Sequence, residues 1–168
     1  MNKISVCYIS LNKLFNMKKL ILFFVLNCGF FLHSQNVAKI DKFFELVFTN
    51  PDLAKELLHD DFTFKFMGIC EICKSYNKDT YISEWIKKDI PAVLPNGIRL
   101  EIIRKIDGGD DVVFLVKGHD AVGVNGEYNN NYAMVFKFKN GLIYDFQEYH
   151  SDLLAETKLH KKKIVKIN

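Results

Sequence analysis

The clearest alternation of apolar and polar residues lies within 128–150, where two apolar-rich runs flank Asn140-Gly141. Asn-Gly supplies the two positive-φ residues of a type I′ turn, so the pattern predicts an antiparallel hairpin. A two-residue turn pairs Lys139 with Leu142, and each step outward then pairs the next residue on both strands. This register holds only if no bulge interrupts the hairpin, because a one-residue slip exchanges its faces.

The register divides the hairpin side chains between two faces, both largely apolar. The face predicted to turn inward carries Asn131, Ala133, Val135, Phe146, Glu148 and His150. The opposite face carries Tyr132, Met134, Phe136, Phe138, Ile143, Asp145, Gln147 and Tyr149. Because both faces are apolar, we expect the hairpin to lie between two layers. Helices would cover one side, and a second subunit or more sheet would cover the other.

Helical periodicity precedes the strands along the chain. Apolar residues recurring every three or four positions predict helices over 36–48, 51–58 and 80–90. Alternating residues predict further strands over 62–66, 98–106 and 112–116. Helices first and antiparallel strands last predict an α+β domain, with a curved sheet wrapped around N-terminal helices.

The first 35 residues have a different pattern, in which a basic start is followed by an apolar run. Met17-Lys18-Lys19 precedes the nearly unbroken apolar stretch 20–32, and Ser34 and Gln35 follow it. This layout is typical of a secretory signal peptide, which is too short to span a bilayer comfortably. A buried helix is the alternative, but the run lacks a polar face. We therefore predict an N-terminal extension plus signal peptide over 1–35, translation from Met17 and an exported protein, periplasmic or secreted.

Removal of this leader changes the charge of the chain. The full sequence has 23 basic and 20 acidic residues, and four of the lysines lie in the leader. The 19 remaining basic residues nearly balance the acidic ones, and no basic stripe interleaved with aromatic residues remains. We therefore expect no nucleic-acid partner and no stable membrane span after cleavage. The predicted domain is 36–157, and 158–168 forms a basic tail.

From about residue 91 to 152 the sequence resembles the SnoaL-like, ketosteroid-isomerase-related branch of the NTF2-like superfamily. The matching segments are PNGIRLEIIRKIDGGDDVVFLVKG, GEYNNNY and VFKFKNGLIYDFQEYHSD. The resemblance implies a cone-shaped α+β fold with an apolar pocket, and frequent homodimers through the outer sheet. It implies little about activity, since function depends on the site rather than on the fold.

The resemblance also allows the isomerase residues to be sought one by one. A ketosteroid isomerase needs a carboxylate base and an oxyanion hole made of a tyrosine and a protonated aspartic acid. The position implied for the base is Phe66, which cannot accept a proton. Residues 36–75 contain no tyrosine, and 128–139 contain no aspartate. We therefore predict that this reaction is absent.

Glu148 and His150 are the remaining catalytic candidates, although neither is assured a catalytic role. A carboxyl group in an apolar cavity has a raised pKa, and a nearby imidazole could share its proton. Alternatively, Glu148 bonds a neighbouring element and His150 sits at a solvated mouth. His119 has no companion close in sequence and is interpreted as a surface residue. The expected ligand-binding residues are Phe66, Trp85, Asn131, Ala133, Phe146, Glu148 and His150.

Cys70 and Cys73 form a C-x-x-C pair downstream of the leader. A single such pair lacks the second pair of a structural zinc site, and no histidine pair stands at ligand spacing. In an oxidising compartment the pair predicts a local disulfide. A redox role would need a thioredoxin-like framework, which the chain does not supply. We predict no metal and no cofactor.

These observations lead to one expected function and two alternatives. The first is an exported, homodimeric domain that binds a small, mostly apolar molecule in its cone. The second is a lyase, isomerase or hydrolase that uses Glu148 and His150 as an acid–base pair. The third is an interaction module whose cone is filled by its own aromatic side chains. The cavity volume separates the third from the others.

Overall fold

The structure is a computed structural model that describes residues 35–167. The predicted extension and signal peptide therefore lie outside the described residues, apart from Gln35. Within 35–167, no helix is long and apolar enough to cross a membrane. The helices are α1 (35–46), α2 (Pro51–Lys55), α3 and, last, α4 (Asp152–Leu159). Helix α3 joins Lys78–Thr80, the π-helical Tyr81–Asp89 and Ile90–Val93.

Eight strands form one large sheet and one small hairpin. The strands are β1 (Leu58–Phe66), β2 (Ser75–Asn77), β3 (Arg99–Asp107), β4 (Asp111–His119), β5 (Val122–Gly123), β6 (Gly126–Glu127), β7 (Asn131–Lys139) and β8 (Leu142–Tyr149). The six-stranded sheet has the order β2-β1-β8-β7-β4-β3, and β5 pairs with β6. Only β1 and β8 run parallel among these pairs. The predicted α+β class, with a curved sheet and helices, is confirmed.

Local sequence signals explain where the helices begin. The Asn50 side chain accepts a hydrogen bond from the Leu53 amide, and Pro51 occupies the first turn of α2. Helix α3 starts with a capping box, in which Asn77 and Thr80 bond each other's backbone. The sequence patterns did not predict β2, the β5–β6 hairpin or α4. Helix α4 also continues two residues past the predicted domain boundary at 157.

The β7–β8 hairpin contains the bulge that the predicted register excluded. Asn140 and Gly141 both have positive φ, as expected for the turn, and Lys139 pairs with Leu142. Beyond Phe138 opposite Ile143, however, Lys137 pairs with Asp145, which leaves Tyr144 as the extra residue. The pairs predicted farther along the strands are therefore wrong. Phe136 faces Phe146, Val135 faces Gln147, Met134 faces Glu148 and Ala133 faces Tyr149.

The bulge places the large side chains of both strands on the concave face of the sheet. Phe136 and Phe146 stack with ring centroids 4.3 Å apart, and Phe146 also meets Phe43 of α1 and Phe64 of β1. Each of these four rings is at most 2% exposed. An aromatic cluster thus fills the concave side, with α1 and α3 packed over it.

Candidate functional site

A narrow cavity lies beyond this aromatic cluster, toward the end of β8. Its volume is about 70 Å³. Side chains from α1, α3 and the concave face of the sheet surround it. The lining residues that matter for its chemistry are Phe66, Tyr81, Trp85, Tyr128, Tyr132 and Glu148. The wall is therefore aromatic, with one carboxyl group and several phenol groups as its polar elements.

Glu148 is the only acidic residue in the described wall of the cavity. Strand alternation after the bulge points it inward, where its side chain is 12% exposed. No hydrogen bond reaches its carboxyl group from any other residue within 35–167, although His150 Nδ1 lies 3.8 Å from Oε1. Burial raises the pKa of Glu148 to about 8. A neutral carboxyl group can both donate and accept a hydrogen bond.

Three tyrosines extend the polar part of the wall. Tyr81 comes from α3, Tyr132 from β7, and Tyr128 from the loop before β7. The Tyr128 hydroxyl accepts a hydrogen bond from Asn130 Nδ2 at 3.2 Å. Burial raises the pKa of Tyr128 to about 12 and raises the pKa values of Tyr81 and Tyr132 as well. All three remain neutral phenols that can donate hydrogen bonds.

The structure brings together four of the seven predicted ligand-binding residues. Phe66, Trp85, Phe146 and Glu148 line the cavity. Asn131 and Ala133 do not, because the bulge at Tyr144 places Phe146 and Glu148 on the other face of the sheet from them, and their assignment is corrected. Tyr132 and Met134 take the inward positions instead. A bulge leaves no reliable signal in the sequence, so the sequence pattern could not assign Tyr132 to the wall.

His150 is buried just outside the cavity and is not one of its wall residues. Its side chain is 1% exposed, and the Phe66 ring packs edge-on against it at 5.4 Å. Nε2 faces away from the cavity, 3.6 Å from Cys70 Sγ and 3.8 Å from Asp152 Oδ1. Burial lowers the pKa of His150, and the nearby Asp152 carboxylate partly opposes this. Glu148 and His150 are therefore neighbours, but Glu148 faces the cavity, whereas His150 Nε2 faces Cys70 and Asp152.

The segment between β1 and β2 carries a disulfide that joins Cys70 and Cys73. Its sulfur atoms contact His150 and Asp152, which come from the far end of the chain. His119, by contrast, lies on the surface, where Nε2 is 2.7 Å from Glu101 Oε2.

Four residues separate the cavity from the outside of the cone. Phe44, Phe48, Ile98 and Leu100 line the cavity and also line an outer groove of about 160 Å³. Phe48 is 45% exposed, so solvent reaches the outer side of this part of the wall.

No protein-family model and no curated protein matches the chain. Solved structures do match its fold. An NTF2-like protein of unknown function from Burkholderia pseudomallei aligns with a TM-score of 0.63 at 19% identity, covering 75% of this chain and 98% of that one. The chain has the NTF2-like fold. The predicted resemblance is thus confirmed in the fold.

Two enzymes are similar to the chain in the same way. The pinacolase BvnE from Penicillium brevicompactum aligns with a TM-score of 0.62 at 17% identity, covering 75% of this chain and 92% of that one. An LEH-like epoxide hydrolase from M. tuberculosis aligns with a TM-score of 0.59 at 12% identity, covering 76% of this chain and 91% of that one. At such identities the likeness concerns the fold alone, so function depends on the cavity.

Proposed function

We propose that this domain binds a small, mostly apolar molecule whose polar group forms a hydrogen bond with Glu148. The observation that carries the proposal is the Glu148 carboxyl group, which faces an aromatic cavity and has no hydrogen-bond partner within 35–167. Its side chain is only 12% exposed, so the carboxyl group is largely removed from water, and a ligand with a hydroxyl or carbonyl group would give it a hydrogen bond.

The size of the cavity limits the ligand. Pockets for drug-sized ligands usually measure about 300–1,000 Å³, whereas this cavity measures about 70 Å³. Only a few non-hydrogen atoms fit beside Glu148. Rotation of Phe44 and Phe48 would join the cavity to the outer groove, which those two rings also line. The proposed ligand therefore has a polar end at Glu148 and an apolar body that extends past these rings.

The geometry gives less support to an acid–base enzyme. The Glu148–His150 pair would have to act on one substrate, but His150 Nε2 points at Cys70 instead of into the cavity. The described wall also holds a single carboxyl group, so it lacks one of the two that a ketosteroid isomerase needs. We propose that this isomerase activity is absent. The alternative, in which the protein's own aromatic side chains fill the cone, predicts that no small molecule binds there.

Trp85 is the only tryptophan of the chain and lines the cavity, so its fluorescence reports occupancy. Cyclohexanol and methylcyclohexane have nearly the same shape, and only the first carries a hydroxyl group. Both are transparent where tryptophan is excited. We expect cyclohexanol to change Trp85 fluorescence saturably. Methylcyclohexane has no hydroxyl group to dehydrate, so the affinity of cyclohexanol relative to methylcyclohexane is compared between wild type and variants of Glu148.

Glu148→Leu is the decisive variant, since it keeps the apolar wall and removes the hydrogen bond. It should lower the affinity of cyclohexanol relative to methylcyclohexane by about 1–3 kcal/mol, whereas Glu148→Gln should retain most of the wild-type ratio. Asn131→Ala is the matched control on the outer face and should bind as wild type. If neither molecule changes Trp85 fluorescence, the cone is filled and the ligand-binding proposal is wrong.

We also propose that the domain functions after export, as a periplasmic or secreted protein. Support comes from the signal-peptide pattern in the sequence and from the Cys70–Cys73 disulfide, a bond typical of oxidising compartments. N-terminal sequencing of protein from the native source should find a start near Gln35 or Asn36. Full-length chain retained in the cytosolic fraction would contradict export.

We propose, finally, that a second copy of the chain covers the outer face of the sheet. Strand register aligns Ile106, Val113 and Val135 across three neighbouring strands, and Leu115 pairs with Ala133 beside them. Such an apolar row suits a twofold, self-complementary contact. Light scattering should give a dimer at micromolar concentration, and Val113→Lys should give a folded monomer. A wild-type monomer would contradict the proposal.

A further inference from the structure

We propose that reduction of the Cys70–Cys73 disulfide creates a zinc site whose four ligands are Cys70, Cys73, His150 and Asp152. This inference does not depend on the proposed ligand in the cone. One ligand atom from each residue lies within 4.8 Å of all the others. The C-x-x-C pair alone predicted no metal, because its two partners lie about eighty positions farther along the chain and only folding brings them to it.

The spacing of these atoms is close to that of a tetrahedral zinc centre. Ligands at about 2.0–2.3 Å from zinc in a tetrahedron lie roughly 3.3–3.8 Å from one another. His150 Nε2 is 3.6 Å from Cys70 Sγ and 3.8 Å from Asp152 Oδ1. Cys73 Sγ is 3.8 Å from the same Asp152 oxygen. The Cys70–His150 and Cys73–Asp152 pairs therefore need little movement, whereas the two sulfur atoms must move apart once their bond is reduced.

The aspartate is held so that one oxygen remains free for a metal. Asp152 Oδ2 accepts a hydrogen bond from the Ile69 amide at 2.9 Å, while Oδ1 faces the sulfur atoms and His150. Gly68 makes this position possible, since a Cβ there would lie 2.0 Å from Asp152 Oδ1. The Asp152 side chain is 34% exposed, which gives a metal ion access from solvent.

A carboxyl group lies behind the histidine, although the two do not form a hydrogen bond in the disulfide-bonded form. Its Nδ1 atom is buried without a hydrogen-bond partner among the described residues. It points toward Glu148 Oε1, 3.8 Å away. A metal on Nε2 leaves the proton on Nδ1, where it faces this carboxyl group. If the ring moves closer when it binds zinc, an oxygen of this carboxyl group would accept the proton's hydrogen bond and fix the tautomer and orientation of the ring.

The chemistry balances with a dithiol as the reductant. The dithiol gives two electrons and two protons to the Cys70–Cys73 bond, which breaks to leave two thiols, and the reductant closes to its own disulfide. Zn²⁺ then binds both sulfurs as thiolates and displaces their two protons to solvent. Two thiolates, one imidazole and one carboxylate are a ligand set that favours Zn²⁺ over Mg²⁺ or Ca²⁺.

The test compares the oxidised and reduced forms of the purified protein. Protein reduced with dithiothreitol, freed of reductant under argon, is titrated with Zn²⁺ against a chromophoric chelator. The same protein is titrated with Co²⁺, which absorbs visible light strongly when thiolates hold it tetrahedrally. We expect one metal per reduced chain, tetrahedral Co²⁺ absorption, release of about two protons per Zn²⁺ in weak buffer, and no binding by the oxidised form.

Three variants assign the ligands. Cys70→Ser/Cys73→Ser should bind no Zn²⁺, and Asp152→Asn should bind it more weakly. Gly68→Ala keeps all four ligands but displaces the Asp152 carboxylate, and should weaken binding about 10–100-fold, as changes that misorient ligands do. His119→Gln, which alters a histidine outside the cluster, should bind as wild type. Circular dichroism confirms that each variant is folded.

Either of two results would overturn the proposal. Reduced wild type could take up no Zn²⁺ beyond what the double serine variant takes up. Alternatively, Asp152→Asn and Gly68→Ala could both bind like wild type, which would exclude the aspartate as a ligand.

Discussion

Inward-facing side chains near the start of β8 differ in their surroundings from those near its end. Ile143 and Phe146 are 0% and 2% exposed and are enclosed by aromatic and aliphatic side chains. Glu148 lies two positions beyond Phe146, and His150 follows the end of β8. Their side chains are 12% and 1% exposed, but each has a polar atom without a hydrogen-bond partner within 35–167. Ile143 and Phe146 complete the core, whereas Glu148 faces a cavity and His150 faces a disulfide.

This contrast distinguishes a region that stabilises the fold, around Phe146, from a candidate functional region, around Glu148. Aromatic packing around Phe146 buries large apolar areas and stabilises the fold. Unpaired polar groups around Glu148 have the opposite effect, since they lose hydration without gaining a partner. Such groups usually persist where function needs them. Four substitutions test this contrast between the core and the cavity.

Phe146→Ala should have the largest effect. Its ring meets Phe43, Phe64 and Phe136, so truncation leaves a cavity in the filled half of the face. We expect a loss of about 3–5 kcal/mol in the free energy of unfolding, measured by urea denaturation. Tyr149→Ala, on the outer face of the same strand, is the control and should cost far less. Equal losses would remove the distinction between the faces.

Glu148→Gln should change how stability depends on pH in the disulfide-bonded protein. Because the pKa of Glu148 is raised to about 8, the folded state keeps a proton that the unfolded state releases near pH 4.3. Wild-type stability should therefore fall by about 2–4 kcal/mol between pH 5 and pH 9. The glutamine variant should lose this slope. Identical profiles for both proteins would mean that Glu148 is ionised in the fold.

Asn130→Ala should have an intermediate effect, because Asn130 joins β7 to the start of α4. It is 3% exposed, and its Oδ1 accepts from the Asn131 amide at 2.9 Å and the Ser151 amide at 3.2 Å. Its Nδ2 donates to Tyr128 Oη and to the Ser151 carbonyl. Removing these bonds should cost about 1–3 kcal/mol on urea unfolding. A smaller loss would mean that water replaces the amide.

Asn131→Ala should have the smallest effect. The bulge places this exposed side chain on the outer face, away from the cavity. We expect a change within about 0.5 kcal/mol in the free energy of unfolding and unchanged cyclohexanol affinity. A clear loss of affinity would instead restore the bulge-free register, in which Asn131 and Ala133 face inward.

Much of the architecture could be predicted from the sequence because its signals are local. Helical spacing before the strands, Pro51 after Asn50 and the Asn140-Gly141 turn each depend on neighbouring residues. They predicted the α+β class and the first pairs of the β7–β8 hairpin. Glu148 could be selected for a similar reason, since a charged residue in an apolar strand requires an explanation.

Which side chains line the inner wall depends on long-range contacts. The bulge at Tyr144 shifts the rest of β8 by one residue, so that Phe146 and Glu148 share a face with Tyr132 instead of Asn131. The grouping of Cys70 with His150 and Asp152 has the same origin. The parallel pairing of β1 with β8 brings residues about eighty positions apart into contact. The spacing of these residues along the chain does not predict such a contact, because only the folded chain brings them close together.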